Sequence, residues 1–156
     1  PAVRTGWAVA PQPVLELMLA ARQLIDLHND RIQMRTVYYC ADGFLRDHID
    51  GIRHIYRDRR DVMLAALEEH LPEGCTWSRP NGGFFIWVTL PEQVDVNTFG
   101  EIAADHGVIY FPGNWFMPEE PQNNVIRLSF STVPEDRIRE GIARLGAAVR
   151  SVVGEG

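Results

Sequence analysis

The stretch Val125-Ile126-Arg127-Leu128-Ser129-Phe130-Ser131 runs straight into Thr132-Val133-Pro134-Glu135. The first part is apolar and β-branched, which predicts a strand over 125–130. The second has the form of a capping box, Thr-x-x-Glu, with a proline in the first turn. Behind it Ile138, Ile142, Leu145, Val149 and Val152 recur at helical spacing and predict a C-terminal amphipathic helix. A strand delivering the chain into an amphipathic helix is a building step of an α/β layer. One charge, Arg127, sits inside the strand. Its planar fork suits a carboxylate held by two hydrogen bonds, and it keeps its charge at any ordinary pH. An alternating strand with Arg127 on its wet face is the other reading.

The segment before it continues the pattern. Thr76-Trp77-Ser78 is a short strand candidate, and Asn81-Gly82-Gly83 is a turn. Phe84 to Leu90 is an aromatic and β-branched run that predicts a buried strand, ended by Pro91. Asp95 is placed to cap a helix over 96–106, with Phe99, Ile102 and Ala103 inward and Gly107 as its stop. Val108 to Phe111 predicts another strand, stopped by Pro112-Gly113, and 112–124 reads as loop. Residues 72–156 therefore read as a small α/β domain.

Upstream, the stripe Leu45, Ile49, Ile52, Tyr56, Met63 and Leu67 predicts a long helix over 44–70, with Gly51 a candidate bend and Leu71-Pro72-Glu73-Gly74 its close. Residues 14–29 predict an amphipathic helix and 30–43 a shorter one between loops. Residues 3–10 predict a short buried strand. Residues 1–43 hold too few elements to close a core. They read as the end of a larger domain, joined by the helix 44–71 to the domain 72–156.

Composition narrows the function. The net charge is −6 over 156 residues, against a nucleic-acid footprint. No apolar run approaches membrane-spanning length. All 15 cationic side chains are Arg and none is Lys, so no side chain here can form a Schiff base. Cys40 and Cys75 lie in no metal or redox spacing and read as reduced thiols of a cytoplasmic protein, a disulfide being the alternative. The five histidines form no zinc pattern, and no metal site is expected. The run Arg57 to Asp61 mixes signs and reads as a solvated helix face. Arg4, beside Gly6, is either a phosphate contact or a solvent-facing side chain. Asn81-Gly82-Gly83 and Pro112-Gly113 are either tight turns or places of close backbone approach to a ligand.

The order of these segments is more specific than any one of them. R-x-G-W at Arg4–Trp7, A-P-x-x-V at Ala10–Val14, R-Q-x-x-D-L-H at Arg22–His28 and D-G-x-x-x-x-H-I at Asp42–Ile49 come first. I-R-x-x-Y-x-x-R-R-D-x-M-L-x-A-L at Ile52–Leu67, L-P-E-G-x-x-W at Leu71–Trp77 and P-x-G-G-x-F at Pro80–Phe85 follow. G-V-x-x-x-P-G at Gly107–Gly113, I-R-L-S-F-S at Ile126–Ser131 and E-G-I-x-R-L in the last helix complete the series. Together they resemble the C-terminal portion of fold-type-I, pyridoxal-phosphate-dependent aminotransferases. The nearest branch is the one containing 2-aminoadipate, kynurenine and aromatic aminotransferases.

The resemblance implies a pyridoxal-phosphate transferase fold: the end of the large domain plus the small C-terminal α/β domain. It implies transfer of an amino group between an amino acid and a 2-oxo acid by a cytoplasmic homodimer. In the family the cofactor-linking Lys lies just before the R-x-G-W stretch. The ring-stacking residue, the Asp at the pyridine nitrogen and the Tyr near the ring oxygen lie earlier still. The chain is thus expected to be a fragment with no catalytic residue of its own, without covalently bound cofactor, and inactive alone. Arg127 matches the family Arg for the substrate α-carboxylate, and Arg4 the Arg near the cofactor phosphate. Phe84, Tyr110, Phe111 and Trp115 offer an aromatic pocket or simply a packed core. The alternative is the effector domain of an aminotransferase-like transcription regulator. A stand-alone binding module sharing only the small-domain fold ranks below it.

Overall fold

The computed structural model describes residues 4–154. The chain divides into two compact units, Pro1–Gly51 and Ile52–Gly156.

The first unit is helical. Residues 4–11 adopt no regular secondary structure, so the expected strand at 3–10 does not form over the described part. Its apolar side chains find no cover: Trp7 is 88% and Val9 95% exposed. A strand needs a partner for its backbone groups, and an apolar run alone does not supply one. Helix α1 spans Gln12–Ile25, with Pro13 in its first turn, where a missing N–H costs nothing. Helix α2 spans Arg31–Ala41, and the Asp30 carboxylate accepts from the backbone N–H groups of Ile32 and Gln33. Neither helix buries a residue fully. The apolar stripe expected of α1 is present but uncovered, Leu24 being 90% exposed. Helix α3, Leu45–His70, agrees with the expected long helix and begins in this unit.

The second unit holds the core. It contains most of α3, then β1 (Thr76–Trp77), β2 (Phe85–Thr89), α4 (Phe99–Asp105), β3 (Phe111–Pro112), a 3₁₀ turn (Gly113–Phe116), β4 (Val125–Ser129) and α5 (Glu135–Val153). The strands form one antiparallel sheet in the order β1-β2-β4-β3. Period-two alternation sorts its faces. Ile86, Val88, Ile126 and Leu128 point one way, into a cluster with Met63, Ala66 and Leu67 of α3, Phe99 and Ala103 of α4, and Ile138, Ile142, Leu145, Ala148 and Val149 of α5. Phe85, Trp87, Arg127 and Ser129 take the other face.

Several boundaries move. β3 forms at Phe111–Pro112, not 108–111, because only Phe111 and Pro112 reach β4 in register. A proline is tolerated there because the strand lies at the sheet edge. α4 starts at Phe99; Asp95 instead builds the preceding turn, its carboxylate accepting from the Asn97 N–H. Ile102 faces outward, while Phe99 and Ala103 face in. The capping box at Thr132 does not form, since the N-cap of α5 is Pro134, with no side-chain hydrogen bond. The α5 stripe is otherwise as expected.

Helices α3 and α5 approach closely in one place. Gly146 lies against the carbonyl of His70, and Arg150 Nη1 donates to that same oxygen at 2.7 Å. The last carbonyl of α3, which has no intrahelical partner, is thereby satisfied by a cation on the favourable end of the helix dipole.

Candidate functional site

The outer face of the sheet concentrates aromatic side chains around one charge. Arg127 on β4 stands in register between Trp87 of β2 and Phe111 of β3. Its Cζ lies 4.0 Å from the ring centre of Phe85 and 3.8 Å from that of Phe116, with Phe111 at 5.4 Å. Phe85 reaches it because it is two residues before Trp87 and so shares its face. Phe116 reaches it because the 3₁₀ turn after β3 folds back over β4. That return depends on Gly113, where a Cβ would come within 2.7 Å of the Val125 carbonyl oxygen. Trp87 then meets Phe116 edge-on at 6.0 Å, and Trp115 meets Phe111 at 6.5 Å.

Arg127 is half-buried, and no carboxylate pairs with it among the described residues. Its Nε is buried with no hydrogen-bond partner. A guanidinium partly withdrawn from water and left without a counter-charge is costly, and an anion at its free nitrogens offsets that cost. The rings add cation–π attraction without neutralising the charge.

Two other arginines position this face. Arg59 Nη1 donates to the Ser131 carbonyl at 2.5 Å, just after β4. Arg60 Nη1 donates to the Pro80 carbonyl at 3.1 Å, just before the turn into β2. Both are half-buried, so the run Arg57 to Asp61 is only partly the solvated face expected of it. The mixed charges hide this use: the strand ends bring carbonyls to the helix, which the helix sequence does not display.

The aromatic residues singled out in the sequence divide. Phe111 and Trp115 belong to the Arg127 face, with Trp115 68% exposed. Tyr110 instead turns inward, stacking on Phe99 and donating to the Val96 carbonyl at 2.6 Å. Burial, and then the nearby Asp95 charge, push its hydroxyl up to about 12. Phe84 packs edge-on against Tyr56. Of the two rings nearest the guanidinium, Phe85 enters the sequence reading only within the strand run and as the end of P-x-G-G-x-F, not as a site residue, and Phe116 is not named in it; the alternation Phe85-Ile86-Trp87 is a signal for the first.

Arg4 lies in the first unit, exposed, with a left-handed backbone at φ 51°. Gly83, at φ +81°, carries the turn before β2 with open space where a Cβ would go. Cys40 and Cys75 are not joined in a disulfide. Among the described residues no group of three or more His, Cys, Asp or Glu could hold a metal, and no helix is long and apolar enough to cross a membrane.

Comparison with known proteins adds to this geometry. The model of the family described as aminotransferase class I and II matches residues 1–145. The chain is 41% identical over 151 residues to aromatic-amino-acid aminotransferase 1 of Thermococcus litoralis, covering 96% of this chain and 36% of that protein. It superimposes on the kynurenine aminotransferase of Pyrococcus horikoshii with a TM-score of 0.85 at 42% identity, covering 97% of this chain and 38% of that one. It superimposes on the α-aminoadipate aminotransferase LysN of Thermus thermophilus, solved with N-(5′-phosphopyridoxyl)-L-leucine, with a TM-score of 0.88 at 29% identity, covering 100% of this chain and 40% of that one. The chain thus spans well under half the length of these relatives.

Proposed function

Because the chain belongs to the class I and II aminotransferase family, we propose that it is part of a pyridoxal-phosphate-dependent enzyme moving an amino group between an amino acid and a 2-oxo acid. Arg127 is the residue that holds the substrate α-carboxylate. The observation carrying this role is the unpaired, half-buried guanidinium on an aromatic sheet face.

Pyridoxal phosphate, when bound, supplies the carbonyl that accepts the amino group and the ring that takes up electrons from Cα. The side chains present fit only part of it. The 156 residues contain no Lys, so none can link to the aldehyde, while the exposed guanidinium of Arg4 is suited to the phosphate. What this chain contributes to the reaction is therefore binding and orientation. Two in-plane hydrogen bonds from Arg127 would fix the carboxylate and, through it, the direction of the Cα–H bond. The exposed rings of Phe111 and Trp115 favour amino acids with aromatic or long apolar side chains. A cytoplasmic homodimer belongs to the same reading, on the family resemblance. The regulator reading has weaker support, since relatives named as HTH-type transcriptional regulators match at 27–29% identity, against 41% for the aminotransferase of Thermococcus litoralis.

The test begins with the intact, denatured mass. A species at 17.7 kDa is the lysine-free chain, and no transamination is expected of it. A heavier species containing this segment is assayed with pyridoxal phosphate, as wild type and Arg127→Gln. Loss of two charge-assisted hydrogen bonds should raise the KM for both amino acid and 2-oxo acid about 100-fold or more. An unchanged KM would overturn the role of Arg127.

A further inference from the structure

Arg127 is not merely near aromatic rings; the ring centres of Phe85 and Phe116 lie 4.0 and 3.8 Å from its Cζ, within stacking distance of the guanidinium. Of its nitrogens only Nε is both buried and unpartnered, which leaves the Nη edge as the approach open to a ligand. The rings are themselves held from outside. Phe116 meets Trp87 edge-on, and Phe85 meets Phe84 edge-on at 6.4 Å. An arginine side chain otherwise loses much rotamer freedom when it binds, which weakens the complex.

We propose that Phe85 and Phe116 are positioning residues that clamp the Arg127 guanidinium before any ligand arrives and present only its Nη edge, so that the site takes planar carboxylates edge-on. The carboxylate part of this rests on the proposed role of Arg127; the clamp rests on the ring geometry alone. Removing one ring frees the guanidinium and should weaken carboxylate binding roughly two- to ten-fold, the range set by immobilising one long side chain.

The experiment follows the Arg127 Nε–H and Nη signals by NMR in the ¹⁵N-arginine-labelled 156-residue chain, assigned by their loss in Arg127→Gln. The titrant is 3-phenylpropionate, with the uncharged 3-phenylpropanol as control. Wild type should show an Nε–H signal moved upfield by ring currents, slow exchange of the two Nη groups, and shifts on adding the acid but not the alcohol. In Phe116→Leu the upfield shift and slow exchange should be lost and affinity reduced, and Phe116→Tyr should restore all three. Phe85 and Phe116 are 37% and 43% exposed, so their thermal midpoints should stay close to wild type; Phe85→Leu serves as the second variant should Phe116→Leu unfold. Equal exchange and affinity in wild type and both Leu variants would overturn the clamp and leave the carboxylate role standing. A fixed guanidinium in wild type that ignores 3-phenylpropionate would overturn the carboxylate role and leave the clamp standing.

Discussion

Gly141 and Gly146 lie five residues apart on the same helix, yet replacing each by alanine should move stability in opposite directions. A Cβ at Gly141 meets nothing within 4 Å. There the substitution removes backbone freedom from the unfolded chain and should stabilise by up to about 1 kcal/mol. A Cβ at Gly146 would lie 2.1 Å from the His70 carbonyl oxygen and 2.9 Å from its carbon. Both are backbone atoms at the end of α3, so relief requires the helices to move apart. Forced overpacking of this kind costs about 1–3 kcal/mol. The same shift strains the 2.7 Å bond from Arg150 to His70, and a charge-assisted bond of that type contributes about 1.5–3 kcal/mol. Against the propensity gain, Gly146→Ala should destabilise by about 1–4 kcal/mol. Urea unfolding followed by tryptophan fluorescence reads both variants against wild type, with the midpoint as the measure if the slope is unchanged. A Gly146→Ala midpoint at or above that of Gly141→Ala would refute the close packing of α3 on α5.

Leu67 is 0% exposed in the middle of the core, and Leu67→Ala should cost about 2–5 kcal/mol by the same assay. Gly113→Ala should cost about 1–3 kcal/mol, because the new methyl meets the Val125 carbonyl and Cγ1 at 2.7 and 2.8 Å; it should also move the Arg127 Nε–H signal, since Phe116 travels with that turn. Tyr110→Phe leaves the Val96 carbonyl without its donor and should cost about 1 kcal/mol at neutral pH. Tyr110 also makes stability depend on pH. Its folded pKa of about 12 exceeds the unfolded value of 10.0, so the folded state holds more protons between them. The contribution of Tyr110 should be level below pH 10, fall from there towards 12, and be absent in Tyr110→Phe. A wild-type curve that matches the variant above pH 10 would contradict the burial of the hydroxyl.

The elements easiest to read were those whose local pattern and tertiary role agree. The α5 stripe and the C-terminal part of the α3 stripe, Met63 and Leu67, pack into the core they advertise, whereas the run forming β2, expected to be buried, turns only Ile86 and Val88 into it and leaves Phe85 37% exposed. The failures share a cause, which is dependence on something distant in sequence. Residues 7–10 form an apolar, strand-like run but have no strand to pair with. β3 is set by the reach of β4, so it falls on Phe111–Pro112 rather than the more β-prone residues before it. Thr132 resembles a cap, but the helix start is decided by Pro134, whose fixed φ suits that position. The candidate site was half legible. Arg127 stands out as the one charge in an apolar strand. Its two nearest rings come from a cross-strand diagonal and a 3₁₀ turn, and neither relation is written in the spacing of residues around Arg127.

The sheet is brief at both margins. β1 and β3 contribute two residues each, and β3 ends on Pro112, which has no N–H to offer. An extended polypeptide approaching either side finds no ladder long enough to copy. Among the described residues the pairing stops at four strands, and these short margins disfavour stacking edge to edge into fibres in a unit with so many uncovered aromatic side chains on one face.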